Sequence, residues 1–382
     1  MRRFMLLIWV FMLIVSLQSV GLESEWIVDE EAEDTLRDQA HYLMQGMTVE
    51  EKVYQLFFVS PEALTGEKRS TEITDLSVFS RYPVGGVILF GQNIVSEEQV
   101  KGLTNALAEA AASSQAFPPL IAVDEEGGSV SRIANKLGYP LELSPEEMGA
   151  KGNGEEAKNA GNRIADYLLP LGIHADFAPV ADVLIEKESE IVGRAYGADA
   201  ALVSQMSLAM AEGLRSGGVI PCFKHFPGHG SIVSSTHDGT ASSRRTEEEM
   251  EGAEWIPFRA AISEGAEMIM ISHLTARGLG DDVPASLSFH VIHDILRGKL
   301  GFEGVVITDA LRMEAITEHY KPGDAALMAF EAGADFLLLP EDFEKAAEKL
   351  ISSVKSGRIS MERLDESVER ILALKIQYGL IR

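Results

Sequence analysis

The chain has 382 residues, 46% of them apolar and 24% charged, enough for one large α/β domain or two small ones with a sizeable core. A formal net charge of −26 excludes the basic face that nucleic acid requires. A single cysteine, Cys222, excludes an intramolecular disulfide and a cysteine-built zinc site; within the apolar run VIPCF it reads as a buried, inert thiol.

The N-terminal stretch MRRFMLLIWVFMLIVSLQSVG sets Arg2 and Arg3 ahead of an apolar run from Phe4 to Val15, then small and polar residues. That is the pattern of a secretory signal, and the run is short for a stable membrane span. Residues 1–22 therefore read as a signal peptide or an N-terminal membrane anchor. Residues 23–382 read as a single domain, secreted or extracytoplasmic.

Eight nearly continuous apolar runs follow, at 55–60, 84–91, 119–128, 173–183, 219–228, 266–274, 304–311 and 334–340. Such runs fit strands buried on both faces. Amphipathic helical stretches separate them, for example 96–114 and 323–333. Thr48 and Glu51 have the spacing of a capping box, and the last segment reads as a terminal amphipathic helix. Alternating strands and helices imply parallel pairing, and eight units imply a single-domain (β/α)8 barrel of the TIM type. An open doubly wound sheet is the alternative, but no GxGxxG follows an early strand.

In such a barrel the reacting groups lie at the C-terminal ends of the strands. The third run gives Asp124, Glu125 and Glu126 near its end, with Arg132 downstream, and the fourth gives Asp182, with Arg194 beyond. The fifth opens KHFPGHGSIVSSTHDG, with Lys224, His225, His229 and His237. The sixth gives His273 and the seventh Asp309, each near its end, with Arg312 and Glu314 beyond. At the end of the apolar VVIT, Asp309 either caps the next helix or serves as a nucleophile or general base on a rigid element. Asp124 and Arg132 suit hydroxyl or phosphate recognition, or form an ion pair at the rim. No metal or other cofactor is expected: Pro227 and Gly228 separate His225 from His229, and HExxH is absent. His229, between two glycines, reads as shaping the loop, and His225 as facing a ligand. His237 is placed to carry a proton near neutral pH.

Together these blocks resemble the single-domain β-N-acetylglucosaminidases of glycoside hydrolase family 3, from about Met47 to the C-terminus. The resemblance rests on MTVEEKVYQLFFV, IAVDEEGGSVSR, ADFAPVADV, GRAYG, KHFPGHG with a later histidine, PASLS and GVVITDAL. It implies a (β/α)8 barrel and a retaining glycosidase. It implies Asp309 as the nucleophile, His237 as the general acid/base, and Asp124, Arg132, Arg194, Lys224 and His225 as sugar-binding residues. The implied partner is a glycan or muropeptide with a terminal β-linked N-acetylglucosamine, as in peptidoglycan-derived fragments.

Three positions depart from the family pattern. Ser235 stands where an aspartate usually pairs with the loop histidine. A serine can orient an imidazole but cannot neutralise its charge, a loss on the order of 10²–10⁴ in rate for such a dyad. Ser129 replaces the usual arginine, and the run before GRAYG lacks its Asn/Pro-rich form. The departures keep other readings open. One is an amino-sugar-binding barrel without catalysis; others are a β-glucosidase or a phosphorylase of the same family.

Overall fold

Each of the eight apolar runs contributes one strand to a single sheet: β1 (Phe57–Val59), β2 (Gly86–Ile88), β3 (Leu120–Val123), β4 (Ala175–Asp176), β5 (Ile220–Phe226), β6 (Met268–Ile271), β7 (Val305–Thr308) and β8 (Leu337–Leu338). The computed structural model describes residues 30–114, 116–233 and 241–381. The signal or anchor reading of residues 1–22 lies outside the described residues, and so do Ser235 and His237. Among the described residues no helix is long and apolar enough to cross a membrane.

Neighbouring strands are all parallel, in the order β7-β6-β5-β4-β3-β2-β1-β8. A parallel bridge between Ile307 and Phe336 brings β7 against the start of β8 and closes the ring. The sheet is therefore the (β/α)8 barrel that the alternation predicts, with helices outside it. The helix Glu97–Ser113 shows why such segments cover the sheet. Ser96 caps its first turn by accepting from the Gln99 N–H, and Val100, Leu103, Leu107 and Ala110 are buried at helical spacing. Thr48 and Glu51 form the expected capping box.

Side chains fill the barrel interior. The Phe58 ring meets Phe177 and Phe336 edge-on, with centroids 5.5 and 5.2 Å away. A Cβ on Gly86 would sit 2.3 Å from the Phe58 ring, so the neighbouring strand must be bare there. Cys222 is fully buried on β5, and burial pushes its thiol pKa up, as expected for an inert cysteine.

The opposite end of the barrel is closed by the terminal helix Met361–Gln377, which buries Leu364, Val368, Ile371 and Leu372. Asp335, buried just before β8, accepts from Arg297 at 2.6 Å, from the Val306 N–H at 2.9 Å and from Ser367 at 2.5 Å. One carboxylate so ties β7, β8 and the terminal helix together. Lys375 is also fully buried there, and donates to Gln55 Oε1 at 2.9 Å. Burial pushes its ammonium down to about 7, from an ordinary value of 10.5.

A pH dependence follows with a definite sign. Between pH 7 and 10.5 the unfolded chain keeps a proton at Lys375 that the folded chain has shed. Stability therefore rises with pH through that window, by up to about 5 kcal/mol from this group. Lys375→Met should remove this rise. Urea unfolding at pH 7, 8.5 and 10 checks it: wild type gains stability across the series and the variant does not. Parallel curves would assign the slope to other groups.

Candidate active site

Asp124, Arg132, Arg194, Lys224, His225, His229 and Asp309 all line one pocket of about 640 Å³ at the C-terminal rim of the barrel. Chain order scatters them, and the barrel topology gathers them. Lys224 and His225 are consecutive residues of β5, joined by a cis peptide bond, and both face the pocket.

A charge network forms its floor. Glu126, buried just past β3, accepts two bonds from Arg194: Nε to Oε2 at 2.8 Å and Nη2 to Oε1 at 2.7 Å. Its Oε1 lies 2.6 Å from Lys224 Nζ, which also donates to Asp124 at 2.9 Å. Burial opposes the charge on Glu126, but Lys224 and Arg194 outweigh it and hold the carboxyl far below its ordinary range. Burial likewise opposes the Lys224 ammonium, and Asp124 and Glu126 hold it above the ordinary lysine value. Asp124 thus pairs with Lys224; an ion pair with Arg132 is not what the structure shows.

Asp182 organises the histidines. Fully buried, it accepts from the His225 N–H at 3.1 Å, from His225 Nδ1 at 2.7 Å and from the His229 N–H at 2.6 Å. A carboxylate can only accept here, so Nδ1 carries the proton and leaves Nε2 beside Arg194 Nη2, 3.5 Å away. The His229 ring, expected to shape its loop, pairs through Nε2 with Glu190 at 3.1 Å. Burial, then the charge of His225, lowers the His229 pKa.

Arg132 opens the short helix Arg132–Leu137. Glu125 fixes that helix start by accepting from the Ile133 and Ala134 N–H groups at 2.8 and 2.9 Å, and from Tyr167 at 2.9 Å. Gly127 and Gly128, at φ of 89° and 56°, allow the tight turn that leads back to it. The departure at Ser129 falls on the exposed tip of this turn. Among the described residues Arg132 Nε is buried without a partner, a donor left for a ligand.

Asp309 follows β7 directly and is partly exposed in the pocket. It does not cap the next helix, which begins at Glu314 with Met313 as its N-cap. Its Oδ1 instead accepts from the Ala310 N–H at 2.7 Å. Burial raises its pKa, but His273, His225, the Ala310 N–H and Lys224 outweigh burial and keep it below the ordinary aspartate value. The group is therefore an ionised carboxylate near neutral pH. His273 braces the same corner: Nδ1 lies 2.7 Å from Ser286 Oγ and Nε2 2.9 Å from the Ala310 carbonyl.

Glu126 and Asp182 stand at strand ends in the sequence, yet nothing there shows that they hold the ligand-facing cations and imidazoles. Glu190 lies in the divergent run before GRAYG and carries no motif. Asp176 is a further hidden member. It accepts from the Glu125 N–H at 2.9 Å, and burial pushes its carboxyl pKa well up. An aspartate inside an apolar run is the signal that marks it.

An ionised carboxylate thus shares one pocket on the barrel rim with Lys224, Arg194 and Arg132. The glycosyl hydrolase family 3 N terminal domain matches residues 48–374. The beta-hexosaminidase A of Pseudoalteromonas piscicida is 31% identical over 329 residues, covering 80% of this chain and 55% of that one. Beta-hexosaminidase LpqI of Mycobacterium tuberculosis is 32% identical over 308 residues, 78% of this chain and 77% of that protein. A solved glycoside hydrolase family 3 beta-N-acetylglucosaminidase from Paenibacillus sp. str. FPU-7 superposes with a TM-score of 0.83 at 36% identity, covering 88% of this chain and 63% of that one. The chain therefore spans about half of the Pseudoalteromonas protein and most of the mycobacterial one. It belongs to glycosyl hydrolase family 3.

Asp182→Ala would leave two buried backbone N–H groups unpaired, those of His225 on β5 and His229 in the loop after it, and free the His225 ring. We expect a loss of about 3 kcal/mol in urea unfolding. A loss below about 1 kcal/mol would mean that the loop holds its shape without the carboxylate.

Proposed function

We propose that the protein is a retaining β-N-acetylhexosaminidase that removes terminal N-acetylglucosamine from peptidoglycan-derived fragments. We further propose that residues 1–22 direct it outside the cytoplasm, as a secreted or membrane-anchored enzyme. The observation that carries the activity is Asp309: an ionised, accessible carboxylate on a rigid strand end, in one pocket with Lys224, His225, Arg194, Asp124 and Arg132. The beta-hexosaminidase names of the relatives support the same reading.

In this reading Asp309 attacks the anomeric carbon as the bond to the leaving oxygen breaks. His237 gives that oxygen its proton, so the aglycone departs as an alcohol. Water then attacks the same carbon, His237 takes back the proton, and the Asp309 ester is cleaved with net retention. The sugar hydroxyls are held by Asp124, Lys224, Arg194, His225 and Arg132. Ser235 leaves the His237 imidazolium without a neighbouring charge from the usual position. That residue favours a second reading, a sugar-binding barrel without turnover, for which an ionised Asp309 has no use.

Release of nitrophenol from its β-N-acetylglucosaminide, at pH 5 to 8 with and without phosphate, tests the proposal. Asp309→Ala should abolish turnover, a drop on the order of 10⁴ or more. Asp309→Asn should keep N-acetylglucosamine binding. Turnover like wild type in either variant removes Asp309 from the nucleophile role. Sugar 1-phosphate as the product would make the enzyme a phosphorylase, and saturable binding with no turnover would support the second reading. Ser235→Asp should raise kcat, by up to the order of 10²; a fall without unfolding would mean that His237 already has another partner.

A further inference from the structure

Lys224 and Arg194 on the pocket floor are neutralised from within, whereas Arg312 at the mouth has no ion pair among the described residues. Three residues beyond Asp309, it lines the same pocket and is exposed. Its guanidinium lies over the Phe90 ring, 5.2 Å from the centroid. Phe90 is itself fixed just past β2, where its N–H donates to the buried Asn93 side chain at 2.8 Å. Stacking leaves the in-plane N–H groups of an arginine free to fork a carboxylate. Among the described residues Arg312 forms no ion pair. Glu62 acts on it only at longer range. The Glu62 Oε1 is occupied by Ser70, Gln92 and Asn93, at 3.2, 3.0 and 2.7 Å. In a chain of net charge −26, an arginine at a pocket mouth with no acidic partner among the described residues runs against the composition.

We propose that Arg312, held against Phe90, is a specificity residue for a carboxylate on the leaving-group side of the substrate. The inference rests on the glycosidase reading above. With the terminal sugar on the floor against Asp309, the aglycone projects toward the mouth, where Arg312 stands. The ligand class is an acidic aglycone, with its carboxylate on a lactyl ether or on a uronic acid. Charge-assisted forked bonds of this kind act on ground state and transition state alike, so the effect falls on KM.

The test compares three β-linked disaccharides with N-acetylglucosamine at the non-reducing end: one to N-acetylmuramic acid, one to glucuronic acid and one to N-acetylglucosamine. Wild type should favour at least one acidic substrate over the neutral one by about 10-fold in kcat/KM, mainly through KM. Which acid is favoured identifies the source of the carboxylate. In Arg312→Gln the acid-to-neutral ratio should collapse toward unity, with partial recovery in Arg312→Lys. A ratio equal in wild type and Arg312→Gln overturns the proposal. A lower thermal midpoint in that variant would then assign Arg312 to Glu62 as a structural pair. Should wild type hydrolyse neither the nitrophenyl glycoside nor any disaccharide, the hydrolase reading fails. Calorimetric binding of the same three disaccharides to both proteins then decides the Arg312 proposal by the same ratio.

Discussion

The buried carboxylate of Glu126, gripped by Lys224 and Arg194, is the interaction on which the rest of the site depends. It joins the end of β3, the segment after β4 and the middle of β5 through three bonds of 2.6 to 2.8 Å. Bringing such charges out of water is costly, and only their mutual attraction in fixed geometry offsets it. Removing one member leaves the others charged and buried, so the cluster stands or falls as a unit. Asp124 extends it to the pocket surface. The pocket-facing donors are therefore set before any ligand arrives, and binding need not order them.

Around that cluster the same device recurs at lower charge. Carboxylates away from the ligand position the groups that meet it. Asp182 fixes the protonated nitrogen of His225 and the backbone of His229. Glu125 holds the start of the helix that carries Arg132. Asp335 does comparable work at the far end of the barrel, where it couples β7 and β8 to the terminal helix. Part of the strongly acidic composition is thus spent inside the molecule on orientation. Each of these carboxylates satisfies N–H or cationic donors that burial would otherwise leave exposed to an apolar surrounding.

The barrel was legible in the sequence because parallel strands covered on both faces read as short apolar runs at regular intervals. The residues that face the pocket were legible for a related reason: a polar group just after such a run has nowhere to go but the rim. Asp309 after VVIT and Lys224-His225 within β5 illustrate this. The supporting shell was less visible. Glu126 and Asp182 look like any acid near a strand end until their partners, 68 and 43 residues away, come into contact. Glu190 lies in a stretch whose only mark was its difference from the family pattern, and its pairing with His229 depends on two loops meeting in space. Sequence spacing carries local periodicity well, and it carries almost nothing about which distant charges will share a buried volume.

Cys222 lies on β5 two residues before Lys224, sealed from solvent and with its thiol kept protonated by burial. It is the only cysteine in the chain. A thiol reagent can therefore reach the protein's single thiol only when the strand that carries the pocket-lining Lys224 comes away from its neighbours. The rate of labelling becomes a clock for the opening of the site's own scaffold. Any ligand that locks the pocket should slow that clock, whether or not the protein turns it over.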